Sequence, residues 1–299
     1  LTPKYATVET PERFWAVWEE EKKVDYESYV VNRIPTKLDR DIYSIFSKER
    51  LLEIVYSFIL FDNNVKKIAR YQQYFAIKEI EKKIEEYNED GSRKGGLVWH
   101  TQGSGKSLTM VMLTKLLKLT YTNAKIIVVT DRVDLDEQIH KTFENSDIKA
   151  GRASSGSDLI EKLQSGISVI TTLEHKFVKV RNSKTVINDN NLFVLVDESH
   201  RTQGSDLHNA MKKALPLACY LGFTGTPLLK KEKNKNSFLK FGGEIHRYTI
   251  DDAVKDGAVL PLLYEGRLVD QEVLSPEGLE RKFNMITREL SDDAKRDLQ

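Results

Sequence analysis

One segment constrains this chain more than its composition does. His100-Thr101-Gln102-Gly103-Ser104-Gly105-Lys106-Ser107 follows the short apolar run Leu97-Val98-Trp99 and precedes a helix expected over residues 107–119. Strand, glycine-rich turn and helix in that order build a cradle for phosphate. The glycines let the backbone curl so that successive N–H groups face an anion, and the helix directs its positive end to the same point. Lys106 is placed to reach the β- and γ-phosphates of a nucleotide, and the Ser107 hydroxyl to join a Mg²⁺ shell. Thr101, Gly103, Ser104 and Gly105 complete the candidate loop. The usual pattern opens with glycine, where this chain has His100.

The surrounding text agrees with such a fold. Residues 126–129, 169–170, 193–196 and 220–223 are short, apolar and largely β-branched or aromatic, and helical segments over 135–143 and 159–163 lie between them. Apolar strands alternating with helices predict an α/β architecture, a parallel sheet sandwiched by helices. The third of these strands runs into Asp197-Glu198-Ser199-His200. A carboxylate at the end of an apolar strand is costly without a cation or donors. In a P-loop fold that strand is expected beside the P-loop strand. Asp197 would then hold Mg²⁺, and Glu198 would polarise the attacking water as general base. Asp and Ser also suit a helix start, the alternative reading of the same letters.

Residues 1–65 read as a helical connector. Phe14, Val17 and Trp18 recur at helix spacing, as do Leu51, Ile54, Val55, Phe58 and Ile59, with Pro35 between the two stretches. Glu19-Glu20-Glu21-Lys22-Lys23 then falls on a helix as a solvated charged face. A further helix is expected over 68–87, with Ile77, Ile80, Ile84 and Tyr87 on one stripe. Residues 66–257 form the expected P-loop domain, and a new pattern at Val259-Leu260-Pro261 predicts that 258–299 links to another domain. The 299 residues carry 46 basic and 45 acidic side chains, a net +1, which excludes a histone-like cation and an acidic tail. The lone Cys219 suits a reducing cytoplasm. The longest apolar stretch, 51–61, is interrupted by Glu53 and too short for a bilayer, so no membrane is expected. The chain starts at Leu1 without methionine and reads as a piece of something longer. His140, His175, His208 and His246 have no Cys or His neighbours at zinc spacing. Lys176, Lys179, Arg181 and Lys184 suit either phosphate contact or a solvated loop, and 230–240 reads as a flexible lysine-rich loop.

Taken in order, Arg70-Tyr71-Gln72-Gln73-Tyr74-Phe75-Ala76-Ile77, the G-S-G-K-S loop, Val129-Thr130-Asp131-Arg132, Thr171-Thr172-Leu173, Asp197-Glu198-Ser199-His200 and Thr224-Gly225-Thr226-Pro227 resemble the first RecA-like motor domain of superfamily 2 helicases and translocases. Trp99-His100-Thr101-Gln102-Gly103-Ser104-Gly105-Lys106-Ser107-Leu108-Thr109 and Asp197-Glu198-Ser199-His200-Arg201-Thr202-Gln203 resemble one branch more closely: the motor (R) subunit of type I restriction-modification enzymes, where His100 fits. The resemblance implies an ATP- and Mg²⁺-dependent double-stranded DNA translocase of a bacterial or archaeal cytoplasm. Its partners would be methyltransferase and specificity subunits. It gives Gln73, rather than Gln72, the adenine-sensing place, with Arg70 framing the same pocket. Lys106 and Ser107 take phosphate and metal roles, Asp197 the metal role and Glu198 that of catalytic base. Arg132, Thr171 and Thr172 fall where such motors touch DNA, His200 near the γ-phosphate, and Thr224 and Thr226 where hydrolysis couples to domain movement.

A nuclease metal site ahead of the motor and an arginine-finger motif behind it belong to the family pattern, and neither is readable in these residues. Other readings of the P-loop are a strand-separating helicase or remodeller, a kinase or nucleotide switch, and a non-enzymatic adaptor. A guanine-reading Asn-Lys-x-Asp is not supplied around Lys235-Asn236. Intact Lys106, Asp197 and Glu198 weigh against the adaptor.

Overall fold

The computed structural model describes residues 3–30, 32–62, 65–178, 186–197, 209, 212–227, 237–261 and 275–288. Leu1–Leu260 make one compact unit and Pro261–Gln299 a second. The expected connector, 1–65, therefore lies in the same unit as the sheet, and the division falls at Leu260/Pro261. Among the described residues no helix is long and apolar enough to cross a membrane.

Seven parallel strands form the core sheet: β3 (Gly96–His100), β4 (Lys125–Thr130), β5 (Gly151–Arg152), β6 (Val169–Leu173), β7 (Leu192–Asp197), β8 (Cys219–Thr224) and β9 (Glu244–Tyr248). Every residue of β6, β7 and β8 is buried, as expected where helices cover both faces. The period of two splits each strand between two cores. Ile126 and Val128, Phe193 and Leu195, Leu221 and Phe223 join one cluster. Ile127 and Val129, Val194 and Val196, and Tyr220 join the other. The crossovers run through α4 (Lys106–Thr120), α5 (Val133–Asn145), α6 (Gly156–Gln164) and α7 (Glu174–Val178). The short helices α8 (Ser237–Phe241) and α9 (Ile250–Lys255) flank β9, and in the second unit α10 spans Pro276–Ile286. The helix α8 occupies part of the stretch expected to be a flexible loop, and 230–236 lie outside the described residues.

The strand order is β5-β6-β4-β7-β8-β3-β9. This corrects one expectation: β7, which ends in Asp197, is not beside the P-loop strand β3. The fully buried β8 takes that slot, pairing Thr224 with Trp99 and Phe223 with Asp197. Chain order alone does not assign sheet slots, but the parallel register still brings the ends of β3, β7 and β8 to one edge.

The N-terminal region also departs from expectation. Helices α1 (Lys37–Phe46) and α2 (Lys48–Ser57) form, followed by an antiparallel hairpin of β1 (Ile59–Asp62) and β2 (Val65–Ile68). Around Phe14 there is only a 3-10 turn, Glu12–Phe14, followed by irregular chain. A stripe of three apolar residues is too short to sustain a helix by itself, and tertiary contacts dominate. Trp18, 1% exposed, packs its ring against Tyr74 and Phe75 at 5.6 Å, and the Arg50 guanidinium covers it at 5.4 Å. Glu20 pairs with that Arg50. Tyr5 donates a 2.7 Å hydrogen bond to the Ala69 carbonyl. The helix expected over 68–87 is α3 (Tyr71–Ile84), shorter because Ile68 belongs to β2.

Trp18→Ala removes the ring that joins this region to α3. It should lower the unfolding free energy by about 3–5 kcal/mol, measured by urea denaturation. A loss below about 1 kcal/mol would mean that the first residues are an appendage to the sheet unit.

Candidate nucleotide site at the carboxyl edge of the sheet

The chain leaves β3 at His100 and enters α4 at Lys106 through a turn that only glycine makes without strain. Gly103 has φ of +81° and Gly105, the helix N-cap, φ of +89°. The Gly105 carbonyl is a junction. It accepts from the Thr109 N–H at 3.0 Å, the Thr109 hydroxyl at 3.2 Å and the Gln73 amide at 3.0 Å. The other end of the Gln73 amide accepts from the Arg70 N–H at 2.8 Å. Gln73, 3% exposed, thus ties the start of α3 to the phosphate loop with both halves of its side chain. One N–H and one lone pair of the amide remain for a base edge.

Lys106 is buried, its ammonium 3.4 Å from the His100 carbonyl and 3.5 Å from that of Thr101, both long bonds. The Thr101 N–H donates to the Tyr248 carbonyl at 2.9 Å, which fastens the loop to β9. Ser104 is buried, and among the described residues its hydroxyl has no hydrogen-bond partner. An orphan hydroxyl, two left-handed glycines, a cation and a helix start fit a polyphosphate.

Asp197 closes β7 on the same edge and is 5% exposed. Glu198 and His200 lie outside the described residues. Ser107 and Asp197 could supply two oxygens to a Mg²⁺ that takes its other ligands from phosphate and water. Among the described residues no group of three or more His, Cys, Asp or Glu is arranged to hold a metal alone.

The Thr224-Gly225-Thr226 turn rests on the phosphate loop. A Cβ at Gly225 would sit 3.1 Å from the Gln102 nitrogen and 3.4 Å from the His100 carbonyl oxygen. The Trp99 indole N–H donates to the Gly225 carbonyl at 3.2 Å, and the Thr226 N–H donates to the Thr224 hydroxyl, also at 3.2 Å. Of the three residues expected to touch DNA, Arg132 is exposed at the start of α5. Thr171 and Thr172 are at 0% and 1% exposure inside β6, which removes their side chains from direct contact with a DNA strand. Both belong to an apolar strand covered on two faces, so their burial follows from the sheet and not from a binding role. The basic run after them lies, from 179 to 185, outside the described residues.

Some partners of the site were not readable from spacing. His246, without a metal-spaced neighbour in sequence, meets the His100 ring, and Glu21 meets His246. Asp256 accepts from Tyr71 at 2.6 Å and from Tyr248 at 2.9 Å, bracing β9 against α3. These residues lie far apart in the chain, and only the fold brings them together.

The SWI2/SNF2 ATPase family model matches residues 72–296, which include the phosphate loop and the ends of β7 and β8. The chain belongs to that family. Its curated relatives include the MjaIXP type I restriction enzyme endonuclease subunit of Methanocaldococcus jannaschii, 36% identical over 270 residues, covering 86% of this chain and 25% of that protein. The HindI type I restriction enzyme endonuclease subunit of Haemophilus influenzae is 34% identical over 260 residues, 74% of this chain and 24% of that protein. The SWI2/SNF2-type chain described here thus spans about a quarter of the length of these relatives. Among solved structures, a nuclease-deletion mutant of the Type ISP restriction-modification enzyme LlaGI, in complex with a DNA substrate mimic, aligns with a TM-score of 0.50 and 15% identity over 76% of this chain and 23% of that one. At that identity the likeness speaks for the fold alone.

Gly105→Ala should cost about 1–3 kcal/mol of stability, because it combines a left-handed φ with a Cβ 2.5 Å from the Gln73 amide nitrogen. Part of that loss should vanish when Gln73→Ala is already present, read as a coupling energy in a double-mutant cycle. Strict additivity would show that the Gln73 side chain does not press on the turn.

Proposed function

We propose that this chain is the ATP-hydrolysing half of a double-stranded DNA translocase motor, working within a cytoplasmic type I restriction complex. The observation that carries the reading is the shared edge of β3, β7 and β8. It holds a phosphate loop with a buried lysine, a strand-end carboxylate and a threonine turn in contact with that loop. The names of the curated relatives support the restriction setting.

In this reading the N–H groups of the loop and the α4 terminus bind the β- and γ-phosphates, and Lys106 leaves the His100 and Thr101 carbonyls for a phosphate oxygen. Ser107 and Asp197 would hold a Mg²⁺, which would supply positive charge against the terminal phosphates. Glu198 takes a proton from the attacking water. Arg70 and Gln73 frame the adenine base. Thr224 and Thr226 sense the loop through Gly225 and pass its state to residues after 258, the link to a second motor domain. Arg132 contacts the DNA, the buried Thr171 and Thr172 have no surface to offer it, and His200 serves near the γ-phosphate. Methyltransferase and specificity subunits supply site recognition.

Three variants separate the roles. Lys106→Ala should weaken Mg·ATP binding at least tenfold in calorimetry, since a charge-assisted bond is worth about 1.5–3 kcal/mol. Glu198→Gln should bind ATP normally and hydrolyse it at least about a hundredfold more slowly, and Asp197→Asn should raise the Mg²⁺ concentration needed. Unchanged ATP affinity in Lys106→Ala would overturn the site. In the polypeptide that carries this sequence, linear duplex DNA should stimulate hydrolysis, and the protein should displace the third strand of a triplex as it moves along the duplex. Displacement of a strand from a tailed duplex instead would make the protein a strand-separating helicase.

A further inference from the structure

Three side chains from distant parts of the chain form a line that ends at the phosphate loop. The His100 ring, at 0% exposure, has its Nε2 2.9 Å from Nδ1 of His246 on β9. Nε2 of His246 lies 3.0 and 3.1 Å from the two carboxylate oxygens of Glu21. Glu21 belongs to the acidic run 19–21, expected on a solvated helix. It lies in irregular chain instead and remains exposed, with its carboxylate against the buried His246.

Chemistry orders the protons along this line. A carboxylate only accepts, so Nε2 of His246 carries the hydrogen and donates to Glu21. Where Nδ1 of His246 presents its lone pair, Nε2–H of His100 donates to it. In that arrangement Nδ1 of His100 is bare, and among the described residues this buried atom has no hydrogen-bond partner. Burial, with His246 and Lys106 nearby, holds His100 well below the usual histidine pKa and keeps it neutral. The Tyr248 ring packs on His100 at 5.8 Å, and the Thr101 N–H is bonded to the Tyr248 carbonyl. The start of the loop is therefore held to β9 twice, once by backbone and once by the histidine line. The His100 and Thr101 carbonyls that this arrangement immobilises are the two groups that receive Lys106.

We propose that Glu21 and His246 are positioning residues of the phosphate loop: together they hold His100 as its Nε2–H tautomer and so set the backbone from which Lys106 reaches a nucleotide. The proposal rests on the nucleotide-site reading above. It also gives His100, at a position where glycine is usual, a task that glycine does not perform. A carboxylate–histidine pair orients metal-binding histidines in the same way, where loss of the carboxylate costs about 10–100-fold.

Long-range ¹H–¹⁵N spectra of the histidine rings in the 299-residue chain test the line without any substitution. Both His100 and His246 should show a protonated Nε2 and a bare Nδ1. Glu21→Ala should give His246 a mixture of tautomers and weaken Mg·ATP binding about tenfold, whereas Glu21→Gln, whose amide oxygen still accepts, should restore most of both. Lys106→Ala, measured alongside, distinguishes the two levels. If it abolishes binding while Glu21→Ala changes neither tautomer nor affinity, the positioning role is wrong and the nucleotide site stands. If Lys106→Ala binds Mg·ATP normally, the site reading falls and this proposal falls with it. A Nδ1–H tautomer at His100 in the unmodified chain overturns the line outright.

Discussion

The burial of the central strands on both faces is the constraint from which the rest follows. With β6, β7 and β8 wholly inside, polar side chains on their length have no water to meet and can be used only at the ends. Parallel pairing brings those ends to a common edge. Asp197, Thr224 and His100 each close a strand there, and the helix that begins at Lys106 adds its positive terminus. A sheet with this burial thus gathers a carboxylate, a hydroxyl turn and a phosphate loop without any of them being near another in sequence.

Local pattern and global order were legible to different degrees. The phosphate loop could be read because glycine at 103 and 105, lysine at 106 and serine at 107 perform their tasks within a few residues. The left-handed φ values at both glycines are what that reading requires. The strands could be read because their burial leaves long apolar runs. Slot order in the sheet could not, since no local feature of 219–224 says that β8 lies between β3 and β7. The two-residue strand β5 and the edge strand β9, with its polar Glu244, His246 and Arg247, carry too little apolar pattern to be seen. The helix expected around Phe14 failed for the converse reason. Trp18 serves aromatic packing on α3 and Phe14 is exposed, so Phe14, Val17 and Trp18 share no helical stripe.

The same packing changes the standing of the first residues. A connector would touch the sheet unit lightly. Here Tyr5, Trp18, Glu20 and Glu21 are each bound to something that leads to α3, α2 or β9. Gln73 on α3 and His246 on β9 both hold the phosphate loop. Contacts from the N-terminal region therefore lead to the loop by two routes, ring packing on α3 and hydrogen bonds to β9. Both lie within one compact unit.

The central claim is that the carboxyl edge of the sheet is where nucleotide binds. A second cavity, of about 260 Å³, lies among residues that precede β3, β8 and β9 and is lined by Lys94, Lys212 and Lys240 together with Asp90. Amide hydrogen exchange with and without Mg·ATP distinguishes them most directly. The account predicts added protection over residues 101–107 and at the ends of β7 and β8, with no change around Lys94, Gly95 and Gly242. Protection confined to that cavity, or none at the phosphate loop under saturating nucleotide, would contradict it.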